Sequence, residues 1–400
     1  MNEPDKRGTL DRVGEALSNR AEGVLLPVGT VVLAFVVGGL AVLAAGHNPI
    51  SAYNAIFKGT GLNYVLPWTS STDKIFAAIN LQQTLIETTP LILTALAVAF
   101  AFRCGMFNIG GQGQYYVGLI CSLWVGLHFA SMSRPLHVFL AMVAALIGGA
   151  VWGGIAGGLK AAVGAHEVIS TIMLNWIAFY GGQYLFELGG PLQGSERSVP
   201  KSNPIAHSAQ LPAIWGNLQP LHAGIFIALF ALVVYWFILN RTTLGFEVKA
   251  VGFNPEAARY SGMSVSRKYV IALAISGAFA GLAGSMDILG WEFSIATNDI
   301  QVSQIGFIGI AVALLGRGRP IGIALAALLF GGLEVGTSTR ALDPTVFPPE
   351  LAGNLATIIQ GLIVLFVGAE LLLVYAWRAR RSRPKHPEPR LDTSLREEAL

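Results

Sequence analysis

Long apolar runs recur through the sequence and leave the chain very few possible folds. A helix that crosses a bilayer needs about 20 mostly apolar residues. Only 12% of the residues are charged, about half the share found in soluble domains. The chain is therefore predicted to be an all-α, polytopic membrane protein with about ten transmembrane helices. Their predicted bounds are 23–46, 87–103, 108–130, 136–160, 167–188, 221–240, 267–290, 302–316, 320–338 and 352–377.

Lysine and arginine residues are distributed unevenly between the segments that join these runs. Most of the 26 fall on one side of the membrane if the N-terminus is inside, and cytoplasmic loops carry such an excess. We therefore predict that both termini are cytoplasmic. The predicted organisation is a cytoplasmic N-terminal segment (1–22), a transmembrane domain (23–377) that contains a cytoplasmic loop (241–268), and a disordered cytoplasmic tail (378–400). Two long outer segments are expected, at about 47–87 and 189–220.

The cytoplasmic loop 241–268 contains the signals of one short, bounded helix. Asn254 can accept hydrogen bonds from the free N–H groups of a first turn, and Pro255 suits the first helical position. Glu256 places a negative charge at the positive end of the helix dipole, and Gly262 can end the helix in a left-handed conformation. A helix of about two turns is not stable alone in water. We therefore expect it to dock against another protein.

The segment 103–114, R-C-G-M-F-N-I-G-G-Q-G-Q, interrupts two apolar runs with glycines and amides. Broken backbone is tolerated in a bilayer only where it is buried in protein or lines a cavity. One interpretation is a re-entrant turn that shapes a translocation path, with Asn108, Gln112 and Gln114 placed for a polar solute. The other is a tight cytoplasmic turn that Asn108 caps.

The fifth predicted span carries a polar residue and an aromatic residue two turns from its start. Asn175 is costly at this depth unless it is paired, and Trp176 beside it offers a face on which a solute could stack. Both are candidates for the path. An interhelical hydrogen bond is the alternative role for Asn175.

Other functional classes find little support in the residues. The sequence has no G-x-x-x-x-G-K-[ST] motif, which a phosphate-binding loop requires, so this chain is not expected to hydrolyse ATP. No acid–base or metal-ligand constellation is apparent, so neither an enzyme nor a bound cofactor is predicted, and no nucleic-acid partner is predicted. Asp287, Glu334 and Glu370 lie in apolar runs. They leave an ion-coupled secondary transporter as an alternative, because such carriers place carboxylates in the membrane.

Three strings resemble the permease subunit of bacterial ATP-binding cassette importers of the branched-chain amino acid and ribose type, in particular its simple-sugar and nucleoside branch. They are F-N-I-G-G-Q-G-Q (107–114), H-E-V-I-S-T-I-M-L-N-W (166–176) and R-T-T-L-G-F-E-V-K-A-V-G-F-N-P-E-A-A-R-Y-S-G-M (241–263). The family usually has G-A-E-G-Q in the first string, where this chain has Gly111 and Gln112. The resemblance implies a coupling helix formed by Asn254, Pro255, Glu256, Ala257, Ala258, Arg259 and Gly262.

The same resemblance implies partners and a transport cycle. A cytoplasmic ATPase with two cassettes would use ATP, a second related permease chain would complete the pathway, and an external solute-binding lipoprotein would deliver the solute. The implied location is the bacterial cytoplasmic membrane. The expected function is inward movement of a nucleoside, or else a simple sugar, by alternating access. An amino-acid-specific permease of the same family is the remaining alternative.

Overall fold

The computed structural model describes residues 9–216, 220–338 and 348–381. Over these residues the chain is a helical bundle with one antiparallel pair of short strands, β1 (Ala213–Trp215) and β2 (Leu221–His222). The helices are α1 (Thr9–Ala44), α2 (Pro49–Gly59), α3 (Ser71–Arg103), α4 (Gly111–His128), α5 (Arg134–Val163), α6 (Glu167–Phe186), α7 (Gly224–Arg241), α8 (Thr243–Phe253), α9 (Pro255–Tyr260), α10 (Val265–Asp287), α11 (Thr297–Val302), α12 (Ile305–Leu315), α13 (Pro320–Gly336) and α14 (Pro349–Arg381).

The predicted membrane class is confirmed. Seven helical segments of the described chain are long and apolar enough to cross a membrane. Helices α4, α6 and α13 occupy three further predicted spans. Helix α1 starts within the predicted N-terminal segment, and α14 continues into the predicted tail. The predicted disorder of the tail beyond residue 381 lies outside the described residues.

The long outer segment predicted at 47–87 is largely helical, and the predicted start of the second span near residue 87 is wrong. This segment contains α2, and α3 begins at Ser71 rather than near residue 87. The Ser70 hydroxyl accepts a hydrogen bond from the Asp73 N–H at 3.2 Å and caps the longer helix. Asp73, Lys74 and Glu87 lower the hydropathy of its outer half. An apolar-run criterion therefore detects only its inner half.

The centre of the bundle is formed by α3 and by close glycine contacts among α4, α5 and α10. A Cβ atom on Gly149 of α5 would lie 2.2 Å from the carbonyl oxygen of Gly277 on α10. A Cβ atom on Gly118 of α4 would lie 2.2 Å from the Cα of Gly281. Small residues let helix backbones approach in this way inside a membrane. These contacts hold the three helices together.

Basic side chains join helix ends at one end of the bundle. Lys160 of α5 pairs with Glu167 of α6 at 2.5 Å, and Lys268 of α10 pairs with Glu247 of α8. The Arg103 guanidinium donates to the carbonyl oxygen of Gly318 at 3.0 Å. This end therefore carries the basic residues of the predicted inner loops. The positive-inside rule assigns it to the cytoplasm.

The opposite end is covered by the second outer segment, which is ordered in its described part. The Ser202 N–H donates to the Ile295 carbonyl at 2.8 Å, and the Leu211 N–H donates to the Leu289 carbonyl at 2.7 Å. The segment therefore packs on the chain that follows α10. That chain begins with a π-helical turn, Ile288–Glu292.

Candidate functional site

Helix α4 begins inside the bundle and not at its cytoplasmic end. The Asn108 side-chain N–H donates to the Ser276 hydroxyl at 2.7 Å. Ser276 lies about 16 Å along α10 from the cytoplasmic start of that helix. It also donates to the carbonyl oxygen of Ala97 at 2.5 Å. The chain therefore leaves α3 at the cytoplasmic end and returns to this depth before α4 starts.

Buried and exposed residues alternate along the break between α3 and α4, and Gly105 and Phe107 are exposed. Met106 and Asn108 are buried, and the Asn108 side-chain oxygen accepts a hydrogen bond from the Gly110 N–H at 2.9 Å. Its side-chain N–H also donates to the Gln114 amide oxygen at 2.8 Å. This geometry agrees with a re-entrant break rather than a turn at the cytoplasmic surface. The amide of Asn108 does cap the turn, but it does so at membrane depth.

Gln112 connects the beginnings of two helices inside the bundle. Its amide oxygen accepts from the Gly306 N–H at 2.7 Å, and its amide N–H donates to the Ser303 carbonyl at 3.0 Å. Gly306 lies in the first turn of α12, which is about 16 Å long and runs back to the cytoplasmic end. Helices α4 and α12 therefore start next to each other and run in opposite directions. Gln112 satisfies backbone groups at the start of α12.

Asn175 bonds the break to α6. Its side-chain oxygen accepts from the Gly113 N–H at 2.8 Å, and its side-chain N–H donates to the Ile109 carbonyl at 2.9 Å. This is the interhelical hydrogen bonding named as its alternative role. Trp176 is 52% exposed and stacks on Tyr180, with ring centroids 5.9 Å apart. The structure thus brings the four predicted amides together and leaves Trp176 on the exposed face of α6, away from them.

The predicted short helix of the cytoplasmic loop is confirmed as α9. The Asn254 side-chain oxygen accepts from the Ala257 N–H at 3.0 Å, and Gly262 has a φ of 84°. Glu256 and Arg259 form an ion pair at 3.3 Å, and both side chains are exposed. The preceding helix α8 was not predicted. It is capped by Thr242, whose hydroxyl accepts a hydrogen bond from the backbone three residues on.

Two aromatic side chains flank α9 and project almost completely from the protein. Phe253 is 95% exposed and Tyr260 is 93% exposed. Both lie at the end of the bundle that carries the basic residues, and not along its apolar sides. Sequence reasoning missed them. The available signal was an aromatic residue on each side of a short capped helix in a polar loop.

Helix α8 lies directly against the start of the break. A Cβ atom on Gly252 would lie 2.2 Å from the carbonyl oxygen of Arg103, and one on Gly105 would lie 3.2 Å from the Gly252 Cα. Gly252 is next to Phe253, and Gly105 precedes the buried turn at Asn108. The exposed loop and the break at membrane depth are therefore in backbone contact. Movement of the loop would act directly on the break.

Comparisons with known proteins identify relatives of most of the chain. The permease component family of branched-chain amino acid transport systems matches residues 80–368. The guanosine ABC transporter permease protein NupP of Bacillus subtilis strain 168 is 39% identical over 88% of this chain and 94% of its own length. The nucleoside ABC transporter permease protein NupB of Lactococcus lactis is 34% identical over 89% of this chain and 94% of its own. The glucose ABC transporter permease protein TsgB13 of Haloferax volcanii is 35% identical over 85% and 86%.

The same Bacillus strain holds a second relative, the guanosine ABC transporter permease protein NupQ, which is 29% identical over 62% of this chain. No solved structure matches the chain. Within the described residues, no group of three or more His, Cys, Asp or Glu side chains is arranged to hold a metal ion.

Proposed function

Because this chain belongs to the permease component family of branched-chain amino acid transport systems, we propose that it forms half of an ATP-driven importer for a nucleoside or a simple sugar. It is a transporter permease and not an enzyme. The proposed location is the bacterial cytoplasmic membrane. The proposed partners are a two-cassette ATPase that uses ATP, a second permease chain and an external solute-binding lipoprotein.

The exposed aromatic pair beside α9 is the observation that carries the proposal. Two aromatic side chains exposed to water at the basic end of a membrane protein favour a protein partner there, because the cores of protein interfaces are enriched in Tyr, Trp and Phe. We propose that the coupling residues Asn254, Pro255, Glu256, Ala257, Ala258, Arg259 and Gly262, with Phe253 and Tyr260, form the surface on which the ATPase acts.

The contact between Gly252 and Gly105 provides a mechanical route from that surface to the pathway. Closure of the ATPase would displace α9 and α8, and the break would move with them. Rigid-body rocking around a fixed site is the usual form of alternating access. We propose that the break lies beside the pathway, with Asn108, Gln112, Gln114 and Asn175 holding its wall and Trp176 facing a neighbouring chain.

The nucleoside assignment takes its support from the relatives. The two nucleoside permeases and the glucose permease cover 85–89% of this chain. The family description names branched-chain amino acids, whereas these three relatives are named for guanosine, nucleosides and glucose. An ion-coupled carrier would need a deep, paired carboxylate. Of the predicted candidates, Asp287 is buried and accepts a hydrogen bond from the Tyr115 hydroxyl at 2.6 Å, and Glu334 lies deepest in its apolar run. It is exposed, and its carboxylate accepts a hydrogen bond from the Gln360 amide at 3.2 Å.

Transport by the assembled importer tests this function. The chain, its ATPase, the second permease and the binding protein would be reconstituted in proteoliposomes with tritiated guanosine as the probe. We expect uptake that requires ATP and the ATPase, and that excess unlabelled guanosine abolishes while leucine does not. Accumulation by this chain without the ATPase would contradict the proposal and support ion coupling. Competition by leucine alone would assign the chain to amino acids.

A further inference from the structure

The exposed face of α6 carries polar atoms that the exposed face of the neighbouring helix α5 lacks. Trp176, Tyr180 and Tyr184 are each more than half exposed on α6. On α5, every exposed residue from Leu136 to Leu159 has an aliphatic or phenyl side chain. The α5 face therefore suits lipid, whereas the α6 face presents indole N–H and hydroxyl groups, for which lipid tails offer no hydrogen-bond partner.

Two of these aromatic residues lie at membrane depth rather than at an interface. Helix α6 begins with Glu167, which pairs with Lys160 at the cytoplasmic end. Trp176 and Tyr180 therefore lie about 14 and 20 Å along the helix, within a hydrocarbon core about 30 Å thick. Trp and Tyr that face lipid collect at the two interfaces instead. Neither the Trp176 N–H nor the Tyr180 hydroxyl bonds to a residue that the structure describes, so both need a partner from outside this chain.

The two side chains together form one flat aromatic surface. The ring centroids of Trp176 and Tyr180 are 5.9 Å apart, and their planes differ by only 26°. Phe179 packs edge-on against both, with centroids 5.6 Å from Trp176 and 5.2 Å from Tyr180. We call Trp176 and Tyr180 the aromatic platform. Aromatic side chains of this kind are surfaces on which nucleic-acid bases stack.

A row of exposed amides lies on the chain that returns to the break from the outer end. Asn298 and Gln301 belong to α11, and Gln304 follows it; all three are exposed. None of the three side chains bonds to another described residue. Gln304 is next to Ser303, whose carbonyl accepts from the Gln112 amide at 3.0 Å, so the row reaches the depth of the break. Polar side chains at this depth face protein or a water-filled cavity.

The amide row and the aromatic platform border one surface, because α11 contacts α6 directly. A Cβ atom on Gly182 of α6 would lie 2.9 Å from the Ile300 Cδ1 atom of α11. Helix α4 holds both elements in place. The Tyr116 hydroxyl donates to the Ile300 carbonyl at 2.5 Å, and Asn175 accepts from the Gly113 N–H at 2.8 Å.

We infer that Trp176, Tyr180, Gln301 and Gln304 form a contact surface for a neutral nucleoside. The base stacks on the aromatic platform, and the amides donate to and accept from its polar edge and hydroxyl groups. Each amide has both donors and acceptors, as the edge of a purine base does. The inference rests on the proposed function and deepens it, because it assigns recognition to the base and not to the sugar alone.

The charge of this surface indicates a neutral solute. Residues 168–186 and 293–316 include one charged side chain, Asp299. Its carboxylate accepts from the Ala296 N–H at 2.8 Å and so caps α11. A nucleotide would bring a phosphate charge to a surface without a cation, and such a charge is costly away from bulk water. Nucleosides are therefore favoured over nucleotides.

Equilibrium binding of tritiated guanosine tests the aromatic platform. Both permease chains and the ATPase would be placed together in nanodiscs without the external binding protein. W176L removes the ring, W176F keeps one, and F230L is the matched control, because Phe230 is 67% exposed on the apolar face of α7. We expect W176L to weaken binding about tenfold or more, W176F to weaken it less, and F230L to bind like the wild type. Free guanine should compete, and ribose should not.

Cysteine accessibility tests where the surface lies. Y180C and Q301C would be treated with a membrane-impermeant cationic thiol reagent in the same complex, with F230C as the control in lipid. The wild type, with Cys104 and Cys121, gives the background reaction. We expect Y180C and Q301C to react and guanosine to protect both, while F230C stays at the background level.

Unchanged affinity in W176L, or competition by ribose and not by guanine, would overturn the inference. So would Y180C and Q301C that are as unreactive as F230C. If W176L lowers the number of sites instead of their affinity, the protection of Y180C by guanosine decides. A wild-type complex that imports glucose but shows no saturable guanosine binding would overturn the inference and leave the proposed function intact. A wild-type importer that moves neither solute would refute the proposed function itself.

Discussion

At the scale of single residues, the amides around the break replace hydrogen bonds that a continuous helix would have made. The Asn175 side chain accepts from the N–H of Gly113, in the first turn of α4, and donates to the carbonyl of Ile109, in the irregular chain before it. Gln112 does the same for Gly306 and Ser303. In a bilayer these groups have no water with which to bond. The amides therefore make broken backbone tolerable at this depth.

Replacing Asn175 with alanine tests this role. The change leaves one backbone donor and one acceptor unpaired, each at a cost of about 1–3 kcal/mol. We expect a lower melting temperature for the purified protein in detergent. Asn240→Ala is the matched control, because the Asn240 side chain is bonded only to its own helix, at the Trp236 carbonyl. Equal melting temperatures for N175A and N240A would show that the amide does not support the break.

At the scale of helices, the path of the chain depends on how closely α5 and α10 approach. The carbonyl oxygen of Gly277 lies so close to Gly149, and that of Gly149 to Gly277, that a side chain at either position would clash with it. Gly154 lies on the same helix, yet a Cβ there would meet its nearest neighbour, the Ala274 Cβ, at an ordinary 3.8 Å. Gly149 and Gly154 both lie within α5, and they differ in how closely α10 packs against them.

We therefore expect Gly149→Ala to destabilise the protein by about 1–3 kcal/mol, since overpacked contacts force backbone shifts. Gly154→Ala is expected to be neutral or slightly stabilising, because alanine favours helix by up to about 1 kcal/mol over glycine. Thermal unfolding in detergent measures both. If G149A and G154A unfold at the same temperature, the close approach of α5 and α10 is not a stabilising contact.

At the scale of the whole molecule, the ATPase would act on one end of the bundle and the solute would enter at the other. The aromatic pair beside α9 marks the cytoplasmic end, and the proposed binding protein would deliver the solute to the other. The break and the glycine-packed helices lie between them. A change that affects only the cytoplasmic surface should therefore leave solute binding intact while stopping transport.

Replacing Phe253 and Tyr260 together with serine tests this separation. Both side chains are almost fully exposed, so the permease should fold normally. Loss of a hot-spot side chain costs about 2 kcal/mol or more, and we expect the ATPase to fail to copurify. Trp68→Ser is the control, because Trp68 is an exposed aromatic residue near the outer end of α3. Normal copurification of the ATPase with the double variant would refute the docking surface.

Much of this architecture could be predicted from the sequence, because it depends on local composition. Apolar runs indicated the spans, charge placement indicated the cytoplasmic side, and Asn254 with Gly262 marked the ends of α9. The outer half of α3 could not be predicted in the same way. Polar and charged residues interrupt its apolar ones, so no uninterrupted apolar run marks it, and only the structure shows that it continues the helix. Glu87, predicted to begin a span, therefore lies in the middle of α3.

Local patterns thus determined which segments enter the membrane, on which side they emerge and where the cytoplasmic loop forms a helix. Tertiary structure alone decided what the polar residues at depth contact. Asn175 bonds to backbone 62 residues away and Gln112 to backbone 194 residues away, and no local pattern specifies such partners. The physical reason is that a buried amide or carboxylate depends on the groups that surround it in space, which the fold brings together from distant parts of the chain.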